Sequence, residues 1–240
     1  MSLIRCTFTG LDEKFSIEDF SILSSQYNFL EWGVLYSTSE NSNISSNRYP
    51  PQKWFEHNIE EINSIAKKTG VSLALHVCGK ESLNLIEQNN NFLDFLLPYF
   101  NRVQINFRYK TMQKERLLNL FANNPETSFI TQHNFANKNL IKDIPDSSNH
   151  NLLYDNSGGR GLAEEIWPTN VSAKLCGYAG GLGPDNIDIK LSSIDLAAGF
   201  NDYWIDMETK IRTSEWLDYQ KCQTVAKSVD FFLKNQKIKS

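Results

Sequence analysis

Two glycine-rich segments have the composition of anion-binding turns. Residues 178–187 (YAGGLGPDNI) end a short apolar run, and the paired Gly180 and Gly181 let backbone N–H groups approach an anion without interference from a Cβ atom. Residues 152–161 (LLYDNSGGRG) form a second such turn, in which Asp155 precedes the glycines. A tight strand-to-helix turn without a ligand explains the first segment equally well. Together the two segments favour a phosphate site, because they follow successive predicted strands.

The composition limits the classes of protein to which the chain can belong. It has 240 residues, a formal net charge of -4 and a hydrophobic fraction of 40%, values typical of a soluble globular protein. The weak negative charge gives no general attraction to nucleic acid or to an anionic membrane. We therefore expect neither as a partner.

Four cysteines are widely spaced, with no CxxC pair and no histidine at metal-ligand spacing; they are Cys6, Cys78, Cys176 and Cys222. This pattern predicts neither a zinc site nor a redox motif, so we expect no metal and no cofactor. The first residues lack the long apolar core of a signal peptide, and no apolar run approaches the roughly 18 residues that span a bilayer. The sequence therefore predicts a cytoplasmic protein.

Short β-rich runs alternate with helical patterns along the chain. The runs predict eight strands, at residues 3–9, 30–36, 71–77, 102–107, 128–133, 151–155, 171–178 and 203–207. Apolar residues spaced by three and four mark helices between them, and a final helix is predicted over residues 215–234. Repeated strand-then-helix units predict an α/β protein with a parallel sheet, and eight units favour one closed (β/α)8 TIM barrel domain over residues 1–240. An open doubly wound sheet is the alternative.

In such barrels the functional residues lie at the C-terminal ends of the strands, and phosphate is typically bound after strands seven and eight. Residues 178–187 follow predicted strand seven, as this arrangement requires. Gln132 and His133 end predicted strand five in a polar cluster that could bind a substrate, although a hydrogen-bonded strand end explains them equally well. Residues 37–47 form a polar segment after strand two, which could be a lid over the site or a surface insertion.

An ordered set of short motifs gives the chain a resemblance to a known family. The set comprises Cys6, Tyr36, Arg48-Tyr49-Pro50, Val103-Gln104, residues 152–161, residues 179–187 and Ile205-Asp206. In its order and spacing over nearly the whole chain, it resembles the phosphoribosylanthranilate isomerase family. The resemblance implies a phosphate-binding (β/α)8 barrel that converts an N-linked ribosyl phosphate into an aminodeoxyribulose phosphate, an Amadori rearrangement, without a cofactor.

The resemblance also implies roles for individual residues. Asp155 matches the family's acid, which protonates the ribose ring oxygen, and Cys6 matches the base that removes the C2 proton. We expect both side chains to point into the barrel mouth, although most lone cysteines are small buried residues. Arg48 matches an arginine that binds the substrate's carboxylate, and Asp206 matches an aspartate that contacts the anthranilate amine. The predicted phosphate-binding residues are Gly159, Arg160, Gly161, Gly180, Gly181 and Lys210.

The chain departs from the family pattern after predicted strand eight. The family usually has small hydroxyl residues and a glycine there, whereas this chain has Glu208. Its carboxylate would repel a phosphate unless it points away or pairs with Lys210, Arg212 or Arg160. Arg160 also replaces the usual small residue in its glycine-rich turn.

These departures leave three functions open. The protein could be the anthranilate isomerase itself, an enzyme acting on another phosphosugar, or a binder of a phosphoribosyl metabolite without catalysis. In each case the expected partner is a small phosphorylated sugar. The chain could be a monomer or a homodimer.

Overall fold

The computed structural model describes residues 2–38, 47–144, 147–155, 166–170 and 174–239. In these residues, eight parallel strands pair in chain order and the last pairs with the first, so the sheet closes into a barrel. The strands are β1 (Leu3–Thr9), β2 (Leu30–Tyr36), β3 (Ser72–Cys78), β4 (Arg102–Asn106), β5 (Ser128–His133), β6 (His150–Tyr154), β7 (Cys176–Ala179) and β8 (Tyr203–Met207). The predicted closed (β/α)8 barrel is confirmed, and the open doubly wound alternative is wrong.

Four strands have the predicted bounds, namely β1, β2, β5 and β8. Strands β3, β4 and β6 differ from the prediction by one residue at one end or at both. The largest difference is in β7, which was expected over residues 171–178 but begins at Cys176. Its ladder with β6 starts at the pair Leu152 and Cys176, while residues 171–173 lie outside the described part of the chain.

Helices connect the strands around the outside of the barrel. Those in the described residues are α1 (Ile17–Gln26), α2 (Gln52–Thr69), α3 (Lys80–Ile86), α4 (Asn91–Leu96), α5 (Lys114–Asn123), α6 (Leu140–Asp143), α7 (Ile187–Ala198) and α8 (Tyr219–Lys239). The last helix begins later than the predicted residue 215. A small hairpin of Arg212–Thr213 and Trp216–Leu217 precedes it, and Ser214 and Glu215 make its turn with positive φ angles of 50° and 68°.

Helix α2 illustrates why the segments between the strands are helical. Phe55, Ile59, Ile62 and Ala66 recur at intervals of three and four, so one face of the helix is apolar and is buried. The helix ends at Gly70, whose φ angle of 80° is costly for a residue with a Cβ atom. Local sequence therefore sets both the buried face and the end of this helix.

A buried ion pair lies inside the barrel, below the C-terminal ends of the strands. Arg102 Nη1 donates a hydrogen bond to Glu31 Oε1 at 2.9 Å, and the Thr7 hydroxyl donates to the same oxygen at 2.8 Å. The Arg102 guanidinium lies 3.9 Å from the ring centroid of Trp204. Gly177 leaves room for that indole, because a Cβ atom there would lie 2.1 Å from it. We call Thr7, Glu31, Arg102 and Trp204 the ion-pair layer.

We expect Arg102→Met to destabilise the protein by about 3–5 kcal/mol, because the buried Glu31 carboxylate loses its hydrogen-bonded cation and keeps only Arg5, whose Nε lies 3.9 Å from Oε2. The free energy of unfolding in urea measures this loss. Arg116→Met is the matched control, since Arg116 pairs with Glu87 on the surface, where both side chains are substantially exposed. Such a pair contributes only about 0–1 kcal/mol. The double variant Glu31→Gln/Arg102→Met should be more stable than Arg102→Met, and equal losses in both would contradict a buried ionised pair.

Candidate active site

A cavity of about 280 Å³ opens at the C-terminal ends of the barrel strands. Its lining combines residues from all eight strands with residues of the segments that follow β2, β6, β7 and β8. Most of the lining side chains are polar or charged. The cavity therefore suits a small, strongly hydrogen-bonding ligand, and it lies at the end of the barrel where such folds perform their chemistry.

The polar lining follows from the alternation of side chains along each strand. In β4, Arg102 belongs to the ion-pair layer, and Gln104 and Asn106 line the cavity above it. In β1, Thr7 and Thr9 alternate in the same way. Successive side chains of a strand point to opposite faces, so every second residue points into the barrel. Within these strands, polar residues at every second position of the sequence indicate which side chains line the cavity.

Three carboxyl groups line the cavity at the ends of β6 and β8: Asp155, Asp206 and Glu208. The Thr9 hydroxyl donates a hydrogen bond to Asp206 Oδ1 at 2.7 Å, and Gln132 Nε2 donates to Asp155 Oδ2 at 3.1 Å. Asp155 and Asp206 are both almost completely buried. The structure thus brings together Asp155, Asp206 and Gln132, which were all predicted as site residues.

Burial is the main reason why the pKa of Asp206 is raised to about 8. The hydrogen bond from Thr9 acts in the opposite direction, and the negative charges of Glu31, Glu208 and Asp155 raise the pKa further. At neutral pH Asp206 is therefore mainly protonated and can donate a proton. Since Asp155 contributes to this shift, the two carboxyl groups are electrostatically coupled within one cavity.

The cation predicted to bind a substrate carboxylate is already paired. Arg48 Nε lies 3.1 Å from Glu208 Oε1, and both side chains are mostly buried. Burial raises the pKa of Glu208, while the positive charges of Arg48 and Arg212 lower it. Arg212, one of the partners expected for Glu208, therefore affects the pKa of Glu208 through its charge. The Arg212 guanidinium itself donates a hydrogen bond to Asp12 Oδ2 at 2.9 Å.

Opposite the carboxyl groups, β3 and β4 supply hydrogen-bonding groups without net charge. Burial and the charge of Arg102 lower the pKa of His76 to about 3, so its imidazole is neutral at physiological pH. Gln104 Nε2 donates to Asn106 Oδ1 at 2.9 Å, and Asn106 Nδ2 donates to Cys78 Sγ at 3.1 Å. We call His76, Cys78, Gln104 and Asn106 the neutral wall. None of its residues was among the predicted site residues.

The prediction that the Cys6 thiol points into the barrel mouth is wrong. Thr7 and Thr9 bond the interior carboxyl groups, so Cys6 points to the outer face of β1, where it is fully buried in the apolar core. Its pKa is raised well above the usual range, first by burial and then by the charges of Asp206 and Glu31. A buried thiol of this kind is a poor base. The cavity residue of β1 is Thr9.

His133 also points away from the cavity. It packs against Tyr154 with ring centroids 5.4 Å apart, and burial lowers the pKa of its imidazole. Its neighbour Gln132 is the cavity residue, because adjacent residues of a strand point to opposite faces. Of the two residues that could bind a substrate, the structure therefore places Gln132 on the cavity lining and His133 outside it.

The glycine-rich segment after β7 forms one end of the cavity. Gly180 and Gly181 line it with positive φ angles of 121° and 62°, where glycine is strongly favoured. Asn186 holds the turn by donating to Gly181 O at 2.8 Å and accepting from the N–H of Gly183 at 3.0 Å. Lys210 lines the cavity beside this turn. These residues place backbone N–H groups and a cation near the start of α7.

Several predictions fall outside the described residues. Gly159, Arg160 and Gly161, expected to bind phosphate, belong to this group, as does most of the polar segment over residues 37–47. Within the described ranges, no group of three histidine, cysteine or acidic residues is arranged to hold a metal ion. No helix among those residues combines the length and the apolar character needed to cross a membrane.

Comparison with known proteins identifies the fold. The chain matches no known protein-family model and no curated protein sequence. Among solved structures, N-(5'-phosphoribosyl)anthranilate isomerase from Pyrococcus furiosus is 13% identical, with a TM-score of 0.53 over 95% of this chain and 98% of that one. Phospho-2-dehydro-3-deoxyheptonate aldolase from Thermotoga maritima is 11% identical, with a TM-score of 0.62 over 98% of this chain and 70% of that one.

A β-1,4-mannanase is 8% identical, with a TM-score of 0.57 over 98% of this chain and 99% of that one. At such low identity these similarities establish the barrel fold alone. The similar structures are mostly TIM-barrel enzymes, and their functions are varied.

We expect Asp206→Asn to change how the stability of the protein depends on pH. The folded protein binds this proton more tightly than the unfolded chain, in which the aspartate pKa is about 3.9. Wild-type stability should therefore fall as the pH rises from about 4 towards 8, by at most about 1.4 kcal/mol per pH unit from this group, and level off above. The asparagine variant lacks this contribution, so it should gain stability relative to wild type over the same range.

Urea unfolding at several pH values between about 5 and 8 measures the effect. Asp188→Asn, at an exposed position on α7, is the control and should keep the wild-type slope. A constant difference between Asp206→Asn and wild type across the range would contradict the raised pKa.

Proposed function

We propose that the protein is an enzyme that rearranges an N-linked ribosyl phosphate by general acid–base catalysis. The observation that supports this most directly is the pair of coupled carboxyl groups, Asp155 and Asp206, which line one cavity. An aldose-to-ketose rearrangement needs a proton donor and a proton acceptor on one substrate. In many enzymes, two carboxyl groups in different environments divide the roles of proton donor and proton acceptor between them.

The protonated Asp206 is the better candidate for the acid. It would protonate the ring oxygen of the ribose as the C1–O bond breaks, which yields a Schiff base at C1. Asp155, oriented by Gln132, would then remove the proton from C2. The electrons of the C–H bond form an enaminol, which takes a proton at C1 as the C2 hydroxyl becomes a ketone. These roles differ from those implied by the family resemblance, in which Asp155 is the acid.

The phosphate would lie at the glycine turn that follows β7. Gly180 and Gly181 come just after the last ladder pair of β7, so the amides that follow are not all committed to the sheet. An anion at this turn would face backbone N–H groups near the start of α7, together with Lys210. The turn lies between the strand ends that carry Asp155 and Asp206, because β7 pairs with both β6 and β8.

We expect Asp155→Asn and Asp206→Asn each to lower kcat by about two to four orders of magnitude, with much smaller changes in KM. Wild-type kcat/KM should also fall above about pH 8 as Asp206 loses its proton. The measurement is conversion of N-ribosyl phosphates in D₂O, followed by mass spectrometry, because the rearranged product takes up one solvent hydrogen at C1.

Two controls accompany this experiment. Asp188→Asn removes an exposed carboxylate and should retain wild-type turnover. Cys6→Ala removes the buried thiol and should also retain kcat, although it should lower stability. A large loss of kcat in a folded Cys6→Ala variant would indicate that the thiol is the base. It would contradict the assignment of Asp155 as the group that removes the C2 proton.

We expect ribose 5-phosphate to stabilise the folded protein, by about 2.7 kcal/mol at a hundredfold excess over its dissociation constant. Lys210→Met should weaken this stabilisation, because it removes a cation from the proposed phosphate end. Lys53→Met, at an exposed position on α2, should leave it unchanged. Thermal melts over a range of ligand concentrations provide the measurement, and equal responses in the two variants would remove Lys210 from the site.

A binder of a phosphoribosyl metabolite is the second candidate. It is favoured by the position of Cys6, because the thiol expected to act as a base lies outside the cavity. Tight binding of ribosyl phosphates without turnover of any of them would support the binder over the isomerase.

A further inference from the structure

The charges around the cavity are unusual for a site that would bind both a phosphate and a carboxylate on one ligand. Three carboxyl groups line it, Asp155, Asp206 and Glu208, against two cations, Arg48 and Lys210. Arg48 is paired with Glu208. Among the described residues of the lining, Lys210 is thus the only cation outside an ion pair. Under the proposed function the phosphate occupies the end of the cavity where Lys210 lies.

A second anionic group on the ligand would have to take Arg48 from Glu208. That exchange would leave a mostly buried carboxylate without its ion-pair partner, close to the charge of Asp155 and with only the charge of Arg212 to compensate it. Removing one partner of a buried ion pair is strongly unfavourable. Glu208 therefore disfavours ligands that would place a carboxylate against Arg48. Proteins commonly achieve specificity by making the binding of a wrong ligand unfavourable.

The neutral wall faces this same cavity with unused hydrogen-bonding atoms. His76 Nε2 and Gln104 Oε1 are buried without a hydrogen-bond partner among the described residues, and the two side chains are only 2% and 3% exposed. Buried polar atoms are almost always paired, so these two atoms are suited to a ligand. The hydrogen bond from Gln104 Nε2 to Asn106 fixes the orientation of the amide. Gln104 Oε1 is therefore the free atom, and it can only accept a hydrogen bond.

The surroundings of Gly33 show that His76 Nε2 lies close to Thr9 and so to the acidic groups. A Cβ atom at Gly33 would lie 3.0 Å from His76 Nε2 and 2.7 Å from Thr9 Oγ1, the hydroxyl that bonds Asp206. The neutral wall therefore meets the acidic groups beside this glycine. A ligand group held by His76 would lie next to the proposed proton donor.

We propose that the N-linked half of the ligand is uncharged and donates a hydrogen bond, and that His76 and Gln104 bind it. Glu208 excludes a carboxylate from this position, because it keeps Arg48 in an ion pair. The proposal rests on the proposed function and narrows its substrate class. The ligand is a ribosyl phosphate of an amide-bearing or hydroxyl-bearing group, in contrast to the carboxylated aryl group of phosphoribosylanthranilate.

The test compares two probes that differ in one charge. They are 1-(2-carbamoylanilino)-1-deoxyribitol 5-phosphate and its 2-carboxy counterpart, and calorimetric titration gives their dissociation constants. The wild-type protein should bind the carbamoyl probe at least about tenfold more tightly, the usual scale for one unmatched polar contact. Glu208→Gln should release Arg48 and improve binding of the carboxy probe by a similar factor, with little change for the carbamoyl probe.

Three further variants separate the proposed cause from general effects. Arg48→Met in the Glu208→Gln background should abolish the gain for the carboxy probe. Glu61→Gln, which removes an exposed negative charge on α2 outside the cavity lining, should leave the preference unchanged. Gln104→Leu should weaken binding of the carbamoyl probe about tenfold, while ribose 5-phosphate binds as before.

The outcomes distinguish this inference from the proposed function. If ribose 5-phosphate binds but the wild-type protein prefers the carboxy probe or binds both probes equally, the inference is overturned and the proposed function stands. If neither probe nor ribose 5-phosphate binds, the inference and the proposed function fail together. A preference for the carbamoyl probe that Glu208→Gln leaves unchanged would overturn the role of Glu208.

Discussion

The ion pair between Arg102 and Glu31 is the interaction on which the cavity depends. It joins β4 to β2 inside the barrel, and Trp204 covers the guanidinium from β8. Many barrels fill this level with branched apolar side chains. Here the charged groups need one another as partners, because neither could remain ionised in the interior alone. Polar residues two positions further along β4 and β8, Gln104 and Asp206, then line the cavity.

The same layer affects the chemistry above it. Glu31 is one of the charges that raise the pKa of Asp206, and Arg102 helps to lower the pKa of His76. Burial is the larger cause in both cases. The cavity therefore holds an aspartic acid that keeps its proton and an imidazole that does not take one. Both effects depend on excluding water from the barrel interior, since solvent would screen the charges and restore ordinary pKa values.

The barrel fold alone says little about what the protein does. Structures of similar fold include an isomerase, an aldolase and a mannanase, at identities of 8–13%. Function in such folds resides in the residues at the strand ends. In this protein those residues put an acidic group of three carboxyls opposite a neutral wall. A glycine turn, with Lys210 beside it, lies between the strand ends that carry Asp155 and Asp206. This asymmetry, rather than the fold, supports a ligand with one phosphate and an uncharged second half.

Local sequence patterns determined the alternation of strands and helices, the bounds of β1, β2, β5 and β8, and the glycine turn after β7, because each depends on neighbouring residues. The family resemblance indicated Asp155 and Asp206, and a polar strand end indicated Gln132; all three line the cavity. Only the tertiary structure decided that Thr9 rather than Cys6 faces the cavity, that Arg48 pairs with Glu208, and that Asp206 keeps its proton. Thr9 and Asp206 are 197 positions apart, and their contact arises because closing the barrel pairs β1 with β8. Ion pairing and desolvation depend on such distant contacts, which no local pattern records.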